Sequence, residues 1–232
     1  MLVCGKNVAK ELLNNSKRIK KVFLQEGFSD KKIISMLENK KLNIKFCSKN
    51  EMNYFVKEPH QGIILDIEEY PYLEFGDLLN NNPEFLVILD HIEDPHNLGA
   101  IIRTCEAAGV DGIILPKDRQ VHVNSTVMKA SAGALVNMNL TLVTNLSNAI
   151  KKLKDNGFWI VGTALDNSVD YRSIDYSGKI VLIIGNEGKG MSQIVTKECD
   201  FIANIPMYGK INSLNASVAS GIMIYEVVRN RK

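Results

Sequence analysis

The sequence predicts an α/β protein in two parts: a small α/β unit, then a larger domain on a mainly parallel sheet. Three observations carry this. Strand-like and helix-like stretches alternate along the 232 residues, most regularly after residue 85. That order gives a parallel sheet covered by helices on both faces. Ile180–Ile184 is apolar throughout, as a strand buried on both faces is. Residues 67–84 change character, with Pro71, Gly76, Pro83, several acids and the run Asn80–Asn82. That is turn and linker chemistry. The expected division is residues 1–70, a linker over 71–84, and residues 85–232.

The elements follow in chain order. Gly5–Leu13 places Val8, Leu12 and Leu13 on one helical face. Val22–Leu24 reads as a short strand. Lys31–Glu38, with Ile33, Ile34 and Leu37, reads as an amphipathic helix, and Ile44–Phe46 and Gly62–Asp66 as strands. Beyond residue 85, strands are expected at 85–90, 112–115, 139–143, 158–163, 180–184 and 201–205. Helices are expected at 97–108, 124–134, 145–156, 192–198 and 215–230.

Composition narrows the function classes. Hydrophobic residues make up 45% and charged residues 23%, which excludes a disordered or collagen-like chain. Apolar runs such as Phe85–Leu89 fall far short of the ~20 residues that span a bilayer. No basic stretch followed by a long apolar run opens the chain, so no signal peptide is expected. Four scattered cysteines form no C-x-x-C pair, so neither a zinc site nor a disulfide framework is expected, and a reducing cytoplasm is the default location. The net charge of +2 is unevenly placed. Residues 1–60 hold 13 Lys/Arg against 6 Asp/Glu, and the remainder 15 against 20. A basic first quarter is what a nucleic-acid surface needs, since phosphate neutralisation supplies most non-specific affinity. A merely solvated lysine face fits the charge equally well.

Three segments, each just after an apolar strand, stand where ligands sit in open parallel sheets. In Leu89–Gly109, Asn97 is placed to cap the following helix, and Ile101, Ile102 and Cys105 form an apolar patch on it. Arg103 follows six residues after Asn97. His91 and His96 have no nucleophile pattern beside them and read as loop histidines. Ile184–Ser192 holds three glycines in six residues, but its spacing is neither a P-loop nor G-x-G-x-x-G. Glu187 between those glycines would repel a phosphate and favours a neutral or cationic ligand. In Ile205–Glu226, Ser213, Asn215 and Ser217 crowd a helix start, where they satisfy unpaired N–H groups. Capping and packing alone would account for the first and third segments.

Together these segments resemble the three ordered motifs of the SpoU (TrmH-type) RNA ribose 2′-O-methyltransferases, a branch of the SPOUT class. The residues that carry the likeness are Asn97, Arg103 and Glu106, then Gly185–Ser192, then Ile205-Pro-Met with Ser213–Ser220. The likeness spans residues 85–232. Gly5–Leu13, Val22–Leu24 and His60–Ile63 resemble the ribosomal-protein-L30e-like substrate-binding domain that precedes the catalytic domain in the RlmB-type 23S rRNA guanosine methyltransferases.

The resemblance implies a parallel sheet with a deep C-terminal trefoil knot, a homodimer, and methyl transfer from S-adenosylmethionine to a ribose 2′-hydroxyl of guanosine in 23S rRNA. It places the cofactor against Gly185, Ile205 and Leu214, with Gly185 letting backbone approach it closely. It gives the acceptor side to Asn97, Arg103, Glu187, Ser213 and Asn215. Arg103 would activate the hydroxyl. An arginine keeps its proton in proteins, so the expected role is to hold the neighbouring phosphate and stabilise the emerging alkoxide. Glu187 would orient Arg103 or a loop amide. Neither a metal nor a membrane is expected, and the basic first segment would dock the RNA. The alternatives are a tRNA substrate, or a non-catalytic RNA-binding or assembly protein of the same fold.

Overall fold

The computed structural model describes residues 1–14 and 18–231; residues 15–17 and 232, inside the two expected units, lie outside the described residues. The first unit is a four-stranded mixed sheet: β1 (Leu2–Cys4), β2 (Ile19–Gln25), β3 (Ile44–Cys47) and β4 (Ile63–Ile67), in the order β1-β4-β2-β3. β1 and β2 run antiparallel to β4, and β3 runs parallel to β2. The amphipathic helices fall where the periodicity places them, as α1 (Lys6–Asn14) and α2 (Lys31–Glu38). α1 buries Val8, Leu12 and Leu13.

Two elements of this unit escaped the pattern. β1 is only three residues long, too short to show alternation. α3 (Lys49–Phe55) is short and mostly polar, burying Met52 alone. Its start was nevertheless written in the sequence as a capping box, Ser48 and Glu51 each bonding the other's backbone N–H.

The second unit is a seven-stranded parallel sheet. Its strands are β5 (Phe85–Asp90), β6 (Gly112–Pro116), β7 (Leu140–Val143), β8 (Phe158–Thr163), β9 (Val169–Asp170), β10 (Lys179–Gly185) and β11 (Phe201–Asn204). The order is β7-β6-β5-β10-β8-β11-β9. β5 pairs along its full length with β10, from Phe85 beside Ile180 to Asp90 beside Gly185. The strands stay parallel, but their connections diverge here: β5 leads outward to β6 on one side, and β10 leads through α8 (Gln193–Glu198) to β11 on the other.

Alternate residues of β5 feed two cores. Val87 and Leu89 face one, with Ile113 and Leu182; Leu86 and Ile88 face the other, with Ile150 and Ile160. The first core is continuous with that of the N-terminal unit and includes Val3, Leu13, Leu24 and Leu65. The two units are therefore fused through buried apolar surface. A Cβ on Gly133, which adopts φ +93°, would come within 2.7 Å of Glu11 Cγ on α1.

The stretch expected as a linker, residues 71–84, is ordered and packed. It contains α4 (Phe75–Asn80), whose Leu78 is buried in the second core. Leu73 N–H donates to Leu140 O at 2.8 Å. Tyr72 Oη accepts from Val123 N at 2.9 Å. Tyr70 Oη accepts from Leu140 N at 3.2 Å and donates to Met138 O. Proline, glycine and asparagine mark the turns correctly, but the side chains of Tyr72 and Leu78, with Tyr70 just before them, tie the stretch to the larger unit.

Helices α5 (Pro95–Ala108), α6 (Ser125–Ala130), α7 (Leu146–Asp155) and α9 (Ala216–Asn230) cover the sheet. α6 is shorter than the expected 124–134. Ala132 and Gly133 adopt left-handed backbone and end it, and a 3₁₀ turn follows at Ala134–Asn137. Among the described residues, no helix is long and apolar enough to cross a membrane.

Candidate active site

A cavity of about 720 Å³ opens at the carboxyl ends of β8, β10 and β11, roofed by the start of α9. Its size lies in the ~300–1,000 Å³ range of small-molecule sites. Gly185, Ile205 and Leu214 line it, as do Glu187 and Ser213. Apolar walls come from Ile184, Ile205, Leu214 and Met223, and charge from Asp166, Glu187 and Lys189.

The loop Asn186–Met191 forms one wall and is built by hydrogen bonds to itself. Asn186 and Gly190 exchange backbone bonds of 3.1 and 2.9 Å. Asn186 Oδ1 accepts from the N–H groups of Gly188 and Lys189, and its Nδ2 donates to His91 O at 2.8 Å. This changes the reason for Gly185. A Cβ there would meet Gly190 C and Met191 N at 2.4 Å, so the glycine is required for the loop to fold back on its own strand. The fold-back of the loop is by itself enough to exclude a side chain there.

The three motifs converge through side chains. Asn215 Nδ2 donates to Asn97 Oδ1 at 3.0 Å, and Asn97 Nδ2 donates to Glu187 Oε1 at 2.6 Å. Asn97 is 8% exposed, whereas Glu187 faces solvent. Asn215 also caps α9, its Oδ1 accepting from Ser217 N and Val218 N. One amide therefore fixes the helix start and the loop together.

Two expectations are corrected here. Asn97 does not cap α5; Asp94 does, accepting from His96 N and Asn97 N, with Pro95 opening the helix. An Asp-Pro pair is the standard cap-and-first-turn signature and outranked Asn97. Asn97 is thereby freed to bond across the site. Glu187 receives the Asn97 amide rather than Arg103 or a loop N–H. Arg103 lies on the exposed side of α5, outside the cavity wall, and has no hydrogen-bond or ion-pair partner among the described residues. Its neighbours Ile101, Ile102 and Cys105 are buried as the pattern required. Ser213 reaches the cavity wall but caps nothing.

Residues that the motifs did not single out hold this frame. Asp90, 1% exposed at the end of β5, accepts from Ser192 N at 2.7 Å and from the His91 ring at 2.5 Å. It ties the β5 and β10 loops to each other. A strand ending in an acid among apolar residues was the available signal. Thr163 Oγ1 donates to Ile183 O at 3.0 Å and pins the cavity floor.

Comparison with known proteins agrees with this frame. Residues 84–225 match the model of the SpoU rRNA Methylase family, and residues 2–73 match that of the RNA 2′-O ribose methyltransferase substrate binding domain. A Staphylococcus aureus (strain COL) protein assigned to the TrmH-family tRNA/rRNA methyltransferases is 42% identical over 238 residues, covering 99% of this chain and 96% of that protein. An rRNA methyltransferase from Sinorhizobium meliloti, solved with bound AdoMet, superposes with a TM-score of 0.84 at 28% identity over 98% of this chain and 86% of that one. The SpoU methyltransferase AviRb from Streptomyces viridochromogenes shares the fold, with a TM-score of 0.85 at 23% identity over 100% and 90% of the two chains. With both parts matched in order and the three motifs joined around one cavity, this chain belongs to the SpoU rRNA Methylase family of RNA 2′-O-ribose methyltransferases.

Proposed function

We propose that the protein transfers a methyl group from S-adenosylmethionine to the ribose 2′-hydroxyl of a guanosine in 23S rRNA. The observation that carries this reading is the Asn215–Asn97–Glu187 chain, which joins the three motifs at the edge of a cavity fit for the donor. The fit is one of shape and charge. The walls are largely apolar, and two carboxylates, Asp166 and Glu187, face one lysine, Lys189. Such a lining suits a sulfonium cation better than a polyphosphate. Bound there, S-adenosylmethionine supplies an electrophilic methyl group.

The protein's own residues supply placement and electrostatics. Ile205 and Leu214 give the adenine an apolar slot, and Gly185 lets the loop close over it. Asn97, held from both sides, fixes Glu187 and the start of α9 in one geometry. Ser213 and Asn215 hold the ribose side of that cavity. Such placement is worth on the order of 7–11 kcal/mol of barrier in the best cases. Arg103, unpaired on α5, is free to hold the neighbouring phosphate and to stabilise the alkoxide as the hydroxyl loses its proton. The same reading carries a deep C-terminal trefoil knot, a homodimer and a cytoplasmic location. Lysines of the first unit, Lys20, Lys31 and Lys45 among them, are exposed and suited to RNA phosphates.

The test supplies tritiated S-adenosylmethionine with separated 23S rRNA and tRNA from a strain lacking this gene. Label in 23S rRNA alone is the expected result. Label in tRNA alone overturns the substrate. No cofactor binding and no label in either overturns the enzyme reading in favour of RNA binding without chemistry.

A further inference from the structure

A second cavity, of about 200 Å³, lies on the other side of the Asn186–Met191 loop and shares Asn186, Lys189, Gly190 and Met191 with the first. It sits at the carboxyl ends of β5, β6 and β10, where the sheet's connections diverge to opposite sides. Crevices at such a switch point are where open α/β sheets bind ligands.

Its wall is chemically mixed. Glu93, Arg119 and Lys189 line it, and none of the three side chains has a hydrogen-bond or ion-pair partner among the described residues. One unpartnered carboxylate and two unpartnered cations thus line one small space, beside Asp90, which is engaged by Ser192 N and the His91 ring. The backbone around it is strained. Of six non-glycine residues with positive φ among the described residues, two line this cavity: His91 at +64° and Arg119 at +52°. Strain of this kind persists only where the surroundings enforce it, and it gathers at functional sites. Here the enforcement is visible at His91: buried Asp90 holds its ring, and Asn186 Nδ2 holds its carbonyl.

We infer that this cavity is a base-reading subsite for guanine, with Arg119 donating to O6 and N7 and Glu93 accepting from N1–H and the 2-amino group. The inference rests on the reading of an RNA nucleotide as the methyl acceptor. Three features point to guanine. The volume is below that of drug-sized sites and suits a single flat ring system. Guanine presents two adjacent acceptors and two adjacent donors, which a cation facing a carboxylate matches. An arginine fork on O6 and N7 is the commonest specific contact to this base. The shared loop puts the base next to a ribose that faces the cofactor cavity at Glu187.

The experiment titrates GMP, IMP and AMP into the full chain, first shown to bind S-adenosylmethionine, with affinity read by NMR. IMP lacks the 2-amino group. The expected order is GMP, then IMP about tenfold weaker, then AMP weaker still. Glu93→Gln brings GMP and IMP within about twofold of each other. Arg119→Ala weakens both about equally, by tenfold or more. Unchanged S-adenosylmethionine affinity in each variant shows that the fold is intact. Equal affinities for the three nucleotides reveal a phosphate site only and overturn the inference, as does a GMP preference that survives Glu93→Gln. A chain that does not bind S-adenosylmethionine fails the proposed function instead, so the two failures are separable.

Discussion

Replacing Asn97 by alanine removes the link between three motifs in one step. The side chain accepts one neutral hydrogen bond from Asn215 at 3.0 Å and donates one charge-assisted bond to Glu187 at 2.6 Å. The neutral bond contributes about 1 kcal/mol. The second is held to a similar value because Glu187 faces water, which replaces part of it. A loss of roughly 2 kcal/mol lowers the melting temperature by about 4–8 °C for a chain of this size. The effect on methyl transfer is larger. Both the loop and the start of α9 lose their common anchor, and misplacement by about 1 Å costs on the order of a hundredfold in rate. Asn97→Asp sharpens the test. It keeps the size but sets a second carboxylate against Glu187, so it falls below the alanine variant at neutral pH. Calorimetry and single-turnover tritium transfer read the two quantities. Wild-type activity in Asn97→Ala, or an Asp variant no worse than the Ala variant, refutes the reasoning.

Other perturbations have equally definite outcomes. Gly185→Ala forces a methyl within 2.4 Å of the Gly190 carbonyl carbon, so the loop opens and S-adenosylmethionine affinity in calorimetric titration falls at least tenfold. Saturating S-adenosylmethionine, at about a hundred times its Kd, adds about 2.7 kcal/mol to wild-type stability and raises the melting temperature by roughly 5–10 °C. Tyr70→Phe removes the hydroxyl that bonds Leu140 and Met138, and costs about 1–3 kcal/mol in urea titration. Burial pushes the Tyr70 phenol up to about 12 from its usual 10. Its contribution is complete below pH 10 and is lost as pH rises toward 12, because the unfolded chain sheds the proton first. Stability of the wild type therefore falls over that interval, and Tyr70→Phe shows a shallower fall.

Much of this architecture was legible in residue pattern. Ile180–Ile184 announced a doubly buried strand, and it became β10, flanked by β5 and β8 at the centre of the sheet. Val8, Leu12 and Leu13 on one helical face announced α1. What stayed hidden was shorter than a period or defined by contacts distant in sequence. β1 has three residues and β9 two, and each exists by pairing with a longer strand. The 71–84 stretch carries real turn signals, yet Tyr72 and Leu78 within it and Tyr70 just before it find partners up to 70 residues away. The candidate site divides the same way. Its residues came from motif resemblance, and five of the eight line one cavity. That Asn97 bonds Glu187 across 90 positions, while Asp94 takes the capping role, is a tertiary fact that spacing does not encode. The role of Gly185 likewise became clear only when its loop was seen to fold back on the strand.

The central claim is that the methyl group goes to a ribose oxygen and not to a base. The direct measurement is digestion of the tritium-labelled RNA to nucleosides, followed by chromatography against standards. The account predicts that the label runs as 2′-O-methylguanosine, survives alkaline hydrolysis as a dinucleotide, and forms on the order of a hundredfold more slowly with Asn97→Ala. Label in a base-methylated nucleoside, released by alkali as a mononucleotide, would contradict it.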